Sequence, residues 1–580
     1  MKNPVISLVA VTLLLPSSDL LAQIQSSDVI RYGDVRHPVR DSQGMVASSN
    51  ILASEVGARV LAEGGTAVDA AVAVGFALAV VRPRAGNIGG GGFMLFYSAA
   101  DGKTTAIDYR EAAPIRATRD MFLDAQGNVD ARRARFSHLS SGVPGTVAGL
   151  HFAHEKFGKL PWKRLLAPAI RLASDGFRVS YDMSEALERS RERMARDPST
   201  IEYFYKSGGE TYQPGERFVQ TDLAWSLTQI ADRGPGAFYR GEVAKKIIGE
   251  MERSGGLIDA ESLASYEPVV REPVRGSYRG YDIVSMPPSS SGGVHVIQML
   301  NILEHFPVRE YGAESANNVH LLAEVAKLAY ADRSQHLGDL DFYDVPIEWL
   351  TSKEYAKTLA AGIEMQKARP SQEIAPGVVP VKESIDTTHF SVIDRDGNMV
   401  ANTYTLNLSF GSGMSVDGAG FLLNNEMDDF SSKPGIPNTF GLIGGTANAI
   451  QAGKRPLSSM TPTMVFKDGE PVLATGSPGG ARIIMAVLQL VVNVIDHQMN
   501  IGVAANAPRM HHQWLPDLIQ LESGFSPDTI EELRRRGHSI RGGRTIGNVN
   551  SVSQQEGFFL GAADPRRPGG GAVGPTTLRD

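Results

Sequence analysis

Between Ala67 and Val81 the chain carries one charged side chain, Asp69, and is otherwise apolar. Ser49-Asn50 can cap a first helix and Gly64-Gly65 breaks it, so the pattern predicts two helices over residues 48–82. A helix that is apolar on every side has to be buried on every side. The chain must build a core that encloses it, and 580 residues are enough for a large layered α/β body. Around this helix the pattern alternates. Residues 93–97 and 104–109 read as a hairpin across Ala100-Asp101-Gly102, and residues 150–335 are mainly helical by period, broken by the turn-rich Met286 to Gly293. Residues 364–386 contain Pro370, Pro376 and Pro380 without helical period, and read as an exposed linker. Strands resume at 388–394 and 399–406 around Arg395-Asp396-Gly397-Asn398, then at 464–467 and 472–475 around Asp468-Gly469. Residues 483–495 form an apolar helix, and the glycine run Gly569 to Gly574 reads as a flexible tail.

Composition removes several functions. Lys and Arg number 57 against 64 Asp and Glu, a net charge of −7, which offers no broad basic surface for nucleic acid. The absence of cysteine excludes disulfides, thiol nucleophiles, Cys-based zinc sites and a lipidated cysteine. His511-His512 and the pair His151, His154 have no carboxylate at metalloprotease spacing, so no metal is expected. No G-x-S-x-G, S-x-x-K or Walker phosphate loop is present. Lys2, the apolar run 5–15 and Leu20-Leu21-Ala22 form a signal-peptide pattern over residues 1–22, too short to span a bilayer. The mature protein is expected in the periplasm or outside the cell, without a membrane anchor.

The most informative junction is Asp386–Thr387. A strand that starts on threonine directly after a linker suits a self-cleaving hydrolase, because scission would give Thr387 a free α-amine. Such an amine has a pKa near 7.7–8.0 and can take the proton of the hydroxyl beside it. Register matters here. A two-residue turn at Asp396-Gly397 places Thr387 opposite Leu406, whereas a three-residue loop at 395–397 places it opposite Thr405. We expect a bulge or the three-residue loop.

Several ordered segments accompany this junction: Asp108 to Pro114, Gly142-Val143-Pro144-Gly145, Pro287 to Gly293 and Ala329 to Arg333 before it. Thr387-Thr388-His389, Thr405-Leu406-Asn407, Asn424 to Phe430, Arg455 to Met460 and Gly476 to Gly480 follow. Over nearly the whole mature chain the sequence resembles the γ-glutamyltransferase (γ-glutamyl transpeptidase) family of N-terminal nucleophile hydrolases. The resemblance implies a four-layer αββα sandwich made jointly by two fragments, residues 23–386 and 387–580, that remain together as a heterodimer. It implies that Thr387 cuts the bond after Asp386 and then forms an acyl-enzyme with the γ-glutamyl group of glutathione-like donors. Water or an amino acid or peptide acceptor then takes the group. Thr405 would support the Thr387 hydroxyl, and the Gly479 and Gly480 amides would hold the oxyanion. Arg110, Ser458 and Ser459 would bind the donor's α-carboxylate, and Asp429, Glu426 and Asn407 its ammonium. No cofactor is implied. Residues 433–445 match the loop over the pocket, with Phe440 where many bacterial members place a tyrosine that bonds the Asn407 equivalent. The alternatives are a glutaryl-type cephalosporin acylase and a non-catalytic periplasmic solute-binding protein.

Overall fold

The computed structural model describes residues 34–374 and 387–578. The signal-peptide reading and Asp386 lie outside the described residues. Asp69, the single charge in the apolar run, explains how its helix begins. Helix Ala67–Val81 opens on a capping box in which Asp69 N donates to Thr66 Oγ1 (3.2 Å) and Thr66 N to Asp69 Oδ2 (2.9 Å). Lys159 N and Leu160 N also donate to Asp69, at 3.0 and 3.2 Å, so backbone amides satisfy a fully buried carboxylate. The preceding helix, Ile51–Ala62, is capped by Asn50, which accepts from Leu52 N at 3.0 Å.

Two seven-stranded antiparallel sheets form the middle of the molecule. One runs Gly571–Val573, Gly44–Ser48, Thr388–Asp394, Met399–Thr405, Gly91–Ser98, Lys103–Tyr109, Val269–Arg271. The other runs Val39–Asp41, Phe558–Ala563, Asn550–Gln555, Glu470–Thr475, Thr463–Lys467, Tyr281–Ser285, Val274–Tyr278. In the first sheet Val46, Phe96, Val392 and Val400 face outward toward the helices Ala67–Val81 and Thr146–Phe157, with Trp162–Ser174 packed behind them. Met45, Leu95, Ile393 and Met399 face the second sheet, whose far side carries Gly292–Leu303 and Arg482–Ile495. The order is helices, sheet, sheet, helices, and this is the expected αββα sandwich. Strand Thr388–Asp394 is buried throughout; it pairs with Met399–Thr405 from Thr388 on and with Gly44–Ser48 from Phe390 on, so its start is held at the middle of a sheet.

Two expectations fail. The glycine run at the C-terminus is no flexible tail, since Gly571–Val573 pairs with Gly44–Ser48 as an edge strand. A Cβ on Gly571 would sit 2.1 Å from Ile51 Cδ1, so the close approach requires glycine there. Within the region read as mainly helical, Val269–Arg271, Val274–Tyr278 and Tyr281–Ser285 are strands. Their Arg, Gly and Ser content hides the alternation that marks a half-buried strand.

Candidate active site

Register brings the first part of the site together. Thr388 pairs with Tyr404 and Ile393 with Met399, and Asp394 N donates to Asn398 O, which leaves a three-residue loop at 395–397. Gly397 takes φ +85°, the left-handed position such a loop needs. Asp394 holds the loop, accepting from Asp396 N and Asn398 N at 3.0 Å each and from Ala67 N at 2.8 Å. Thr387 therefore lies opposite Thr405, as the three-residue alternative predicts, and their hydroxyl oxygens are 3.3 Å apart. Thr387 is 4% exposed. Among the described residues no side chain other than Thr405 hydrogen-bonds its hydroxyl. His389, two positions on, bonds Thr403 and Ser391, and burial drives its pKa down to about 3, so it is neutral.

Strand Glu470–Thr475 runs into Gly476 to Gly480 and then into helix Arg482–Ile495. Gly480 takes φ +55°, and a Cβ there would lie 2.5 Å from the Phe440 ring. Among the described residues, the amides of Gly479 and Gly480 donate to no other group. Two free N–H groups at a helix N-terminus form an anion-binding corner.

The polar wall is built by Asn424-Asn425. Asn424 Nδ2 donates to Gly89 O (2.9 Å) and Gly142 O (2.7 Å), fixing the turn Glu426–Asp429 against two glycine segments distant in sequence. Asn407, at φ +74°, donates through Nδ2 to Asn425 O at 3.0 Å, and its buried Oδ1 has no partner. Arg110 is completely buried. It donates to Glu426 through Nη1 and to Asp429 Oδ2 (2.5 Å) through Nη2, with Glu111 at 3.5 Å. The expected cation and the expected ammonium acceptors are thus clamped to one another. Burial pushes the carboxyls of Glu426, Asp429 and Glu111 upward, and Arg110 opposes it; Glu111 reaches about 7. Asp428 points away and holds the 433–445 loop, accepting from Arg135 Nε at 3.1 Å and Thr439 N at 3.0 Å. Asn438 Nδ2 ties the same loop to Asp429 Oδ1 at 3.2 Å, and Gln513 Nε2 donates to Phe440 O at 3.1 Å.

These groups line one cavity of about 300 Å³. Arg110, Thr387, Thr405, Asn407, Glu426, Asp429, Phe440, Ser458, Ser459 and Gly480 all reach it. Gly479 adjoins it through Gly480. Two residues were not expected: Arg333, at the end of a segment already notable as Ala329 to Arg333, which lines the cavity, and Glu111, which stands beside Arg110 without lining it. The cavity offers a hydroxyl nucleophile, free amide donors, and a charged end suited to an amino acid head group. Among the described residues that line it none is a histidine, and the chain has no cysteine. Elsewhere His320, Glu324 and His538 bring ligand atoms within 4.8 Å of one another. That cluster is closed by its own bonds, His320 to His538 at 2.7 Å and Lys327 to Glu324 at 2.8 Å.

Comparison with known proteins gives a consistent result. The family model described as gamma-glutamyltranspeptidase matches residues 53–574. The glutathione hydrolase proenzyme of Escherichia coli (strain K12) is 52% identical over 541 residues, 93% of each chain. The crystal structure of cephalosporin acylase from Bacillus halodurans superposes with a TM-score of 0.82 at 28% identity, covering 94% of this chain and 98% of that one. That of Helicobacter pylori gamma-glutamyltranspeptidase is 49% identical with a TM-score of 0.55, covering 56% of this chain and 93% of the other.

Proposed function

The chain belongs to the gamma-glutamyltranspeptidase family, and from that premise we propose how it acts: as a γ-glutamyltransferase and glutathione hydrolase matured by its own scission before Thr387. The observation that carries the mechanism is the isolation of the Thr387 hydroxyl. Its one side-chain partner among the described residues is another hydroxyl, which is no base at neutral pH. A free α-amine on Thr387 supplies the base, so the chain becomes active only when the bond to Asp386 is broken. Thr387 Oγ1 then attacks the γ-carbonyl of the donor, and its proton passes to the α-amine. The developing oxyanion is met by the Gly479 and Gly480 amides, which are already unpaired and need no rearrangement. The amine returns the proton to the leaving group, and water or an amine acceptor releases the γ-glutamyl group. Thr405 holds the nucleophile's hydroxyl from the facing strand.

At the other end of the donor, Asp429, Glu426 and Asn407 take the ammonium, and Arg110 with Ser458 and Ser459 takes the α-carboxylate. Three carboxyls around one guanidinium favour a ligand that brings its own positive charge. A glutaryl group lacks that charge, which sets the glutathione-type reading above the acylase one. The product is a two-fragment enzyme acting on small molecules, exported by the segment at residues 1–22; among the described residues no helix is long and apolar enough to cross a membrane. Mass spectrometry together with turnover of γ-glutamyl- and glutaryl-p-nitroanilide tests this. An uncut chain that turns over neither anilide, or one that prefers the glutaryl compound, refutes it.

Two expectations follow from the charged end and the covering loop. Glu111 sits against Arg110 and titrates near 7. As pH falls through that value Glu111 gains a proton, the pocket loses negative charge, and an ammonium is held less well. The inhibition constant of L-glutamate should rise several-fold from about pH 8 to about pH 6 in the wild type and stay level in Glu111→Gln. Phe440 packs on Leu408 and Ala481, and Asn407 Oδ1 remains an unused acceptor. Without a hydroxyl at 440 the loop has no latch to Asn407, and water reaches the acyl-enzyme more readily. Phe440→Tyr is expected to raise the ratio of transfer to hydrolysis, read as glycylglycine adduct against free glutamate; an unchanged ratio refutes the latch.

A further inference from the structure

Two segments outside the reacting centre meet at the pocket wall: the turn ahead of helix Gly292–Leu303 and the last turns of helix Ala316–His336. Arg333, on the second, is 4% exposed and lines the cavity. Its Nε donates to Ser291 Oγ at 2.9 Å and its Nη2 to Ser459 Oγ at 3.2 Å. Ser291 passes the grip onward, because its hydroxyl donates to Ser458 O at 2.8 Å and its amide to the same oxygen at 2.9 Å. Ser458 N in turn donates to Ser289 O at 2.9 Å. One guanidinium therefore organises the backbone of Ser458 and the side chain of Ser459.

A serine hydroxyl has one hydrogen to donate. Ser459 Oγ accepts from Arg333 and, among the described residues, donates to nothing, so its hydrogen is left for the cavity. Charge points the same way. Arg110 is taken up by Glu426 and Asp429, whereas Arg333 forms no ion pair among the described residues. Burial, with Arg110 adding to it, lowers the pKa of Arg333 to about 10, which leaves it cationic at neutral pH. Asp429, the carboxylate whose charge acts on Arg333, is already paired with Arg110, so the buried cation is incompletely compensated and an incoming carboxylate relieves that cost.

We propose that Arg333 is the positioning residue for the donor's α-carboxylate: it turns the Ser459 hydroxyl hydrogen into the cavity and adds positive field to that of Arg110, whose charge is shared with Glu426 and Asp429. The inference rests on the γ-glutamyl reading, and its test separates the two. The substrates are γ-L-glutamyl-p-nitroanilide and 4-aminobutyryl-p-nitroanilide, which differ only in the α-carboxylate. The variants are Arg333→Met, Arg333→Lys and Ser459→Ala, with self-cleavage as the control for folding. In Arg333→Met the KM for the γ-glutamyl compound should rise about 10- to 100-fold, as expected for losing a charge-assisted contact. Its kcat should change little, and kcat/KM for the 4-aminobutyryl compound should stay within about 3-fold. Ser459→Ala should give part of the same KM rise and add little when combined with Arg333→Met. Arg333→Lys keeps the charge but loses the two-point grip, and should fall between wild type and Met; it carries the test if the Met variant does not mature. An equal loss on both substrates, or an unchanged KM for the γ-glutamyl compound, overturns the role of Arg333. Failure of the wild type on γ-glutamyl-p-nitroanilide overturns the functional reading instead.

Discussion

Replacing Thr387 with alanine is expected to leave the chain in one piece and to lower γ-glutamyl anilide turnover by at least about 10⁴-fold, the scale seen when an enzyme loses its nucleophile. The fragment of residues 387–580, about 21 kDa of the 62.3 kDa chain, should be absent from a denaturing gel. The reason is local. Thr387 immediately precedes the central strand Thr388–Asp394, with its hydroxyl 3.3 Å from Thr405, and it lines the same cavity as Gly480. Among the described residues no histidine or carboxylate bonds that hydroxyl, so none of them is placed to inherit its role. Thr387→Ser keeps a hydroxyl and should still be cut, though more slowly. An alanine variant that is cut and active would falsify the mechanism.

The second large effect is expected at Arg110. Its guanidinium is the shared partner of Glu426, Asp429 and Glu111, all of them in closed surroundings. Removing one member of a buried ion pair leaves the others uncompensated, at a cost of about 3–5 kcal/mol. Arg110→Met should therefore lower the urea midpoint clearly, best measured on the Thr387→Ala background, where the protein stays one chain. Adding Glu426→Gln removes one stranded carboxyl and should restore part of the stability. It should not restore donor binding when tested in a chain that retains Thr387. A midpoint unmoved by Arg110→Met would mean that the three carboxyls are solvated or protonated regardless of their partner.

Much of the site was legible because its residues lie in short ordered segments that resemble those of a known family; local chemistry alone singled out only Thr387. Thr387, Thr405, Asn407, Glu426, Asp429, Ser458, Ser459 and Gly480 come from separate segments and converge on one cavity. Asn50 and the Gly64-Gly65 break were legible for a different reason, since caps and breaks act within a few residues. Arg333 was not, because its partner Ser459 is 126 positions away and nothing around Ala329 to Arg333 indicates a serine. Gly571–Val573 escaped because three small residues show no alternation, and only the open edge of Gly44–Ser48 makes them a strand.

By itself the amino-acid order determined that an apolar helix must be enclosed, and that a threonine stands directly before the strand Thr388–Asp394. Hydrophobicity and hydroxyl chemistry belong to residues wherever they are placed. It left open whether Thr387 faces Leu406 or Thr405, since a step of one residue exchanges the two faces of a strand. That choice was made in three dimensions. Asp394 accepts from the loop amides of Asp396 and Asn398 and from Ala67 N at the start of the buried helix, and this contact across the layers holds the loop at three residues.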